Sequence, residues 1–494
     1  MIYKSTRNSS INYSASRAIA QGISEEGGLF VPTEFPSITG DLSSMIELNY
    51  IERAKIVLSK FLTDFTAEEI DECASSAYAY EKFDGDTPAK LCVIENGFSV
   101  LELWHGPTCA FKDMALQILP HLLTKSLKKA EDKKTAVILV ATSGDTGKAA
   151  LEGFKDVDGT KIMVFYPENG VSAMQLRQMN TQEGENLTVC AVKGNFDDCQ
   201  TQVKKIFTDE KIKQMLSENN LVFSSANSIN WGRLLPQIIY YISSYLDLYK
   251  AGRIKKLDEK VNFVVPTGNF GNILAAFYAK QMGLPIGKLI CASNANNVLT
   301  DFINTGTYDK ERSFFTTNSP SMDILVSSNL ERLLYHLCGD DSKKLSEWMN
   351  ALNSNGSYTV DAETADKVKD LFYGACCDDD ETAEAIEKLF TEHKYLCDTH
   401  TAVAVKVYND YVKETGDKTE TVIVSTASPY KFAPAVLGSF QKEIPEDEFE
   451  TLKVLEYLSS LKIPEQIKEL KNKECRFNNK ADKDTIVDFV TKNI

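Results

Sequence analysis

Three short passages of this 494-residue chain combine residue types and spacings that could do chemistry. TGNFGN, Thr267 to Asn272, follows a continuous apolar run and precedes a helical stretch. At such a turn the backbone N–H groups converge where the helix dipole is positive, which makes a cradle for an anion. Gly268 and Gly271 permit close backbone approach or positive φ, and Asn269 and Asn272 add side-chain donors. The motif is neither a Walker A loop nor the dinucleotide GxGxxG. Its competing reading is a tight turn without a ligand.

TSGDTGKAA, Thr142 to Ala150, is a second turn of this kind, so two anionic groups are expected rather than one. Ser143, Asp145 and Thr146 could cap the helix or hold a ligand, and Lys148 could be a solvated helix residue or an anion contact. In the third passage, WHGPTCAFKDMALQ at 104 to 117, one lysine, Lys112, sits between Phe111 and Asp113 after the Gly106-Pro107 turn. Burial would lower its pKa, as a Schiff-base or proton-transferring lysine requires; the plainer alternative is a surface lysine at a helix start. Metal and serine-hydrolase chemistry find no support. The five histidines, His105, His121, His336, His393 and His400, lack HExxH or Cys/His ligand spacing, and no GxSxG elbow occurs. His105 reads as packing against its turn.

These passages need strands and helices to position them. AVILVA at 136 to 141, VNFVVP at 261 to 266 and TVIVST at 421 to 426 each predict strand, turn and helix in succession, the form of repeated βα units. The first 80 residues or so predict helices joined by Gly/Pro-rich turns, with EEGGLFVPTEFP at 25 to 36 as punctuation and YIERAKIVLSKFL at 50 to 62 as an amphipathic helix. Between about 340 and 395 the chain is acidic, including CDDDE at 377 to 381, and predicts a peripheral helical insertion with a solvated face.

The length implies two or three domains around a sizeable cleft. Hydrophobic residues at 43% and charged residues at 25% are those of a folded chain. A formal charge of −16 argues against nucleic-acid binding, which rests on Lys and Arg neutralising phosphates. Any anionic ligand must meet a local positive site. Eleven cysteines without a CxxC pair predict reduced thiols. The most apolar stretch, LLPQIIYYISSYL at 234 to 246, is broken by Pro236 and Gln237 and predicts no membrane span. Residues 1 to 24 carry Lys4, Arg7, Arg17 and many serines before the first acid, Glu25, a composition shared with organellar transit peptides.

Assembled, YKSTRN, EEGGLFVP, HGPTCAFKD, ATSGDTGKAAL, SSANSINWGRLLPQ, PTGNFGNILAA, SPSMDILVSSNLERLL, DTHTAVA and STASPYKF resemble the threonine synthase family in its longer bacterial and fungal form. The resemblance implies an α/β fold of the fold type II, tryptophan synthase β-like kind, with two open twisted α/β lobes around a cleft for pyridoxal 5'-phosphate (PLP). It implies an N-terminal domain at 1–85 and a catalytic core at 86–440, with a smaller lobe nested at about 115–240. A C-terminal extension follows at 441–494. Lys112 becomes the Schiff-base lysine, and Gly268, Asn269, Phe270 and Asn272 the loop around the cofactor phosphate. Thr426 becomes the hydroxyl beside the pyridine nitrogen, leaving that nitrogen largely unprotonated and the ring a milder electron sink.

The reaction implied is conversion of O-phospho-L-homoserine and water to L-threonine and phosphate, with Lys112 as proton shuttle. The substrate phosphate would be met by Ser143, Thr146, Lys148, Asn227 and Arg233. Ser428 departs from the family, which often carries histidine there, so no role is assigned to that side chain. YKSTRN looks like mature sequence, so the resemblance implies a cytoplasmic enzyme, as monomer or homodimer, without metal. A phosphohomoserine lyase, a threonine-dehydratase-like lyase and a non-catalytic PLP-binding homologue remain as alternatives.

Overall fold

The computed structural model describes residues 1–494 apart from 95–96, 131–133, 143, 195 and 442. The chain opens with a small antiparallel sheet of β1 (Tyr3–Ser5), β2 (Asn8–Tyr13) and β3 (Phe30–Pro32), in the order β2-β1-β3. This sheet corrects the expectation of helices and turns alone. β1 and β3 have three residues each, too few for an alternating pattern to register, and β3 lies inside the Gly/Pro-rich stretch read as punctuation. The amphipathic helix forms at Tyr50–Phe61. It buries Tyr50, Arg53, Ala54, Val57, Leu58 and Phe61, one stripe at helical spacing. Asn49 and Glu52 close its first turn as a capping box, a feature worth about 1 kcal/mol.

β4 (Lys90–Val93) and β5 (Ser99–Glu102) form a hairpin-like pair. The chain then crosses into a second sheet through β6 (Thr135–Ala141), β7 (Thr160–Pro167), β8 (Leu187–Lys193) and β9 (Leu221–Ser224). It returns through β10 (Val261–Pro266) and β11 (Ile286–Ser293). A short pair, β12 (Thr307–Asp309) and β13 (Ser357–Thr359), precedes β14 (Phe372–Cys376), β15 (Thr421–Ser425) and β16 (Asn479–Asp482).

The larger sheet has the order β14-β11-β10-β15-β5-β4 and is parallel except for β4. The smaller has the order β16-β8-β7-β6-β9 and is parallel throughout. Parallel strands covered by helices on both faces read as continuous apolar runs, which is why AVILVA, VNFVVP and TVIVST were conspicuous. β10 is buried along its whole length.

The C-terminal segment is woven into the smaller lobe, because β16 pairs with β8 and Ile486 and Val490 of the last helix join that lobe's apolar cluster. The acidic region near 340–395 contains the helices Ser342–Asn355, Ala362–Leu371 and Asp379–His393. It is not wholly helical, since β14 is the edge strand of the larger sheet; FYGAC is too short and mixed in burial to announce itself. Its acidic run starts a helix: Asp378 caps, and Asp379, Asp380 and Glu381 fill the first turn, where negative charge meets the positive end of the dipole. All eleven cysteines are free. Among the described residues no helix is long and apolar enough to cross a membrane, and no group of three metal-ligating side chains occurs.

Candidate active site

The chemistry-bearing turns all leave the carboxyl ends of parallel strands, where open α/β sheets place ligands. After β5 the chain folds back on itself through Asp113, whose carboxylate accepts hydrogen bonds from Thr108 N at 2.8 Å and Thr108 Oγ1 at 2.7 Å. Gly106 lies against that carboxylate, and a Cβ there would fall 2.6 Å from Asp113 Oδ2. Burial pushes the Asp113 carboxyl up to about 6. The loop is also zipped to the end of β15, since Phe111 N donates to Thr426 O at 2.8 Å and Ser428 N to Cys109 O at 3.0 Å. Thr426 is thereby buried beside the residue preceding Lys112.

Lys112 precedes the short helix Asp113–Leu116 with its side chain only 12% exposed. Desolvation draws its amine down to about 8, opposed by Asp145 and reinforced by Lys431 and Arg233. Its Nζ stands 3.8 Å from Asp145 Oδ2, a contact joining the loop after β5 of the larger sheet to the helix Asp145–Phe154 of the smaller lobe. Asp145 does not cap that helix, contrary to the simpler sequence reading. Thr142 does that work: its Oγ1 accepts from Gly144 N at 3.0 Å and Gly147 N at 2.9 Å. The Asp145 carboxylate is thus left to receive Lys431 Nζ at 2.7 Å, Gln175 Nε2 at 3.0 Å and Ser321 Oγ at 3.4 Å. Burial alone would raise its pKa, but Lys431 and then Lys112 hold it well below the usual carboxylate range.

Lys431 was not singled out from the sequence. It is fully buried and also donates to Thr108 O at 2.9 Å. Its signal was present, a lysine within the apolar PYKFAP stretch. His400 was likewise passed over. Its Nε2 accepts from Ser321 N at 3.1 Å while Nδ1 meets Asp398 Oδ2 at 2.7 Å, which fixes the tautomer with the proton on Nδ1. His105 is structural, stacked on Trp104 and bonded to Glu102 at 2.8 Å.

The TGNFGN turn joins β10 to the helix Gly271–Gln281. Phe270 adopts a left-handed conformation, φ 63°, and Gly268 tolerates only hydrogen, because a Cβ would lie 2.9 Å from Ser321 O. Two tyrosines of the buried helix Trp231–Lys250, Tyr240 and Tyr241, each donate to Asn272 Oδ1 at 2.6 Å. The amide is thereby oriented, and its Nδ2 is left buried without a partner. An unspent buried donor beside the first-turn amides of a helix, which have no intrahelical acceptor, is what a phosphate group would satisfy.

The same long helix carries Arg233, 3% exposed, with Nη1 donating to Ala226 O at 2.5 Å and Nε unpartnered. Desolvation lowers its pKa to about 10, so it stays charged at neutral pH. Asn227 lies in the loop leading to this helix and Thr146 in the first turn of the 145–154 helix. Ser143 lies outside the described residues. The structure takes Lys148 elsewhere: Glu152 Oε2, at 2.9 Å, and Gln182 hold its ammonium. It lines a cavity of about 150 Å³ with Lys155 and Lys473, and one turn of helix beyond Asp145 is enough to aim it there.

Residues 95–427 match the model of the pyridoxal-phosphate dependent enzymes, and residues 2–78 and 401–490 match those of the threonine synthase N terminus and C-terminal region. The threonine synthase of Schizosaccharomyces pombe is 39% identical over 464 residues, covering 88% of each chain. The chain belongs to the threonine synthase family. It is also 43% identical to human threonine synthase-like 1 over 453 residues, but spans only 60% of that protein's length. Solved structures agree: yeast threonine synthase superposes with a TM-score of 0.88 at 32% identity, covering 100% of this chain and 98% of that one. The PLP-bound enzyme from Brucella melitensis gives 0.87 at 34%, covering 100% and 99%. The family cofactor is PLP, and the residues fit it. Asn272 and the loop amides offer what a phosphate ester needs, and the buried Lys112 amine what an aldehyde needs.

Proposed function

We propose that this protein is a threonine synthase, a carbon–oxygen lyase acting on phosphates. It converts O-phospho-L-homoserine and water to L-threonine and phosphate by γ-elimination and addition of water at Cβ. We assign it to the cytoplasm as a monomer or homodimer, with an N-terminal domain at 1–85 and a core at 86–440. The carrying observation is the buried Lys112 amine, 3.8 Å from Asp145, in a chain whose TGNFGN turn holds an unspent buried amide donor.

When bound, PLP supplies an electron sink for charge developing at the substrate carbons. The protein's residues do the rest. The lowered pKa of Lys112 leaves a useful fraction of free base near neutral pH, so its amine can take a proton at one substrate carbon and return one at the next. Asp145, kept ionised by Lys431, gives that amine a fixed partner and direction. Thr426 is assigned as the neutral hydroxyl for the pyridine nitrogen.

Arg233, with Asn227, Thr146 and Ser143, is assigned to the leaving phosphate. A charged, buried guanidinium with a free N–H suits a dianion in a chain that is acidic elsewhere. Contacts across the cleft, Asp145 with Ser321 and Lys431, would tighten as the lobes close and exclude stray water.

The test is to incubate PLP-loaded protein with O-phospho-L-homoserine and follow phosphate, threonine and 2-oxobutanoate. Threonine equal to phosphate, and lost in Lys112→Ala, is the expected result. 2-Oxobutanoate in its place would make the protein a lyase, and no phosphate release would overturn the proposal.

A further inference from the structure

Outside the reacting centre lies a buried positive charge with no carboxylate partner among the described residues. Arg332, in the helix Leu330–Leu337, is fully buried and donates to three neutral oxygens. Nε reaches Phe30 O of β3 at 3.0 Å, Nη2 reaches Ile229 O at 2.6 Å, and Nη1 reaches Asn329 Oδ1 at 2.6 Å. The adjacent carboxylate, Glu331, is occupied by Arg7 at 2.6 and 2.9 Å and by Thr6 Oγ1 at 2.5 Å. One guanidinium thus joins the N-terminal sheet, the loop ahead of the long helix and the segment 327–329.

That segment controls the cradle. With its Oδ1 fixed by Arg332, the Asn329 amide can present only Nδ2 to Asn269 O, at 3.0 Å, and its backbone N–H donates to the same oxygen at 3.1 Å. Ser327 Oγ holds Gly268 O at 2.8 Å. In a trans peptide the C=O and the following N–H point in opposite directions. Drawing the carbonyls of 268 and 269 toward 327–329 therefore turns the N–H groups of Asn269 and Phe270 to the other side. Two successive N–H groups on one side form an anion-binding nest.

We propose that Arg332 is a positioning residue for the cofactor-phosphate loop, locking Asn329 so that the nest faces the anion. The inference rests on reading TGNFGN as the phosphate site. It makes the N-terminal sheet part of the machinery of cofactor binding, because Phe30 O anchors the guanidinium.

The test compares dissociation constants for PLP and for pyridoxal, which lacks the phosphate, in the wild type, Arg332→Met and Asn329→Ala. The expected result is PLP binding about tenfold weaker or more in both variants, with pyridoxal binding changed less than about twofold. Equal weakening of both ligands would reduce Arg332 to general structure and overturn the proposal, as would no weakening. If Arg332→Met does not fold, Asn329→Ala, which keeps the arginine, decides alone. A wild type that binds PLP no better than pyridoxal would sink the phosphate-site reading itself, and the inference with it.

Discussion

The two regions assigned to anions in the proposed function are held differently. In the cradle after β10 the carbonyls of Gly268 and Asn269 are tied back and two tyrosines fix the Asn272 amide. Around Arg233 the guanidinium has a free Nε, and Asn227 is only half-buried. The first, on the proposed function, is preorganised for a group that stays through every turnover. Each keeps one donor unspent, Asn272 Nδ2 and Arg233 Nε, and in the proposed function the second serves a group that arrives and leaves, where rigid pairing would slow release. The helix Trp231–Lys250 serves both, with Arg233 at its start and Tyr240 and Tyr241 two turns on.

Several substitutions would break or sharpen this contrast. The largest effect is expected from Arg233→Met, which should lower kcat/KM for O-phospho-L-homoserine by about 100-fold or more while PLP affinity stays within about twofold, read from steady-state kinetics and cofactor titration. Asn272→Ala should do the reverse: PLP affinity weaker by about tenfold, with little change in KM once saturated.

Smaller and directional effects should follow from the Asp145 pair, seen in the pH profile of kcat. In the proposed function the active form of Lys112 is the free base, so activity is expected to rise with pH through its pKa, about 8 in the unliganded protein. Lys431 disfavours the ammonium of Lys112, so Lys431→Met should move that limb to higher pH. Asp145 favours it, so Asp145→Asn should move the limb to lower pH. Movement in the same direction for both would contradict the assigned electrostatics. Lys148→Met should change kcat/KM and PLP affinity by less than about twofold, since Glu152 and Gln182 already hold that ammonium.

How far the sequence could be read follows the same division. The cradle was legible because strand, turn and helix are contiguous, so one apolar run and two glycines state the local geometry. Lys112 had two readings from its neighbours alone, and only the resemblance assigns it the Schiff base. What stayed hidden was made by distant pairings. Lys431 meets Thr108 across 323 positions, and Arg332 reaches Phe30 across 302. No local pattern encodes either. Whether Asp145 caps its helix was open in the sequence, because the neighbouring Thr142 can do the same work. The N-terminal sheet escaped because two of its strands, β1 and β3, are too short for periodicity. Lys148 was grouped with the site by its helix, although its reach toward Glu152 depends on side-chain direction.

The most direct measurement is borohydride reduction of the PLP-loaded protein followed by peptide mass spectrometry. The account predicts the mass of the reduced cofactor on one residue, Lys112, and none in Lys112→Ala. The label on Lys431 or another lysine, or no label in a protein that binds PLP, would contradict it.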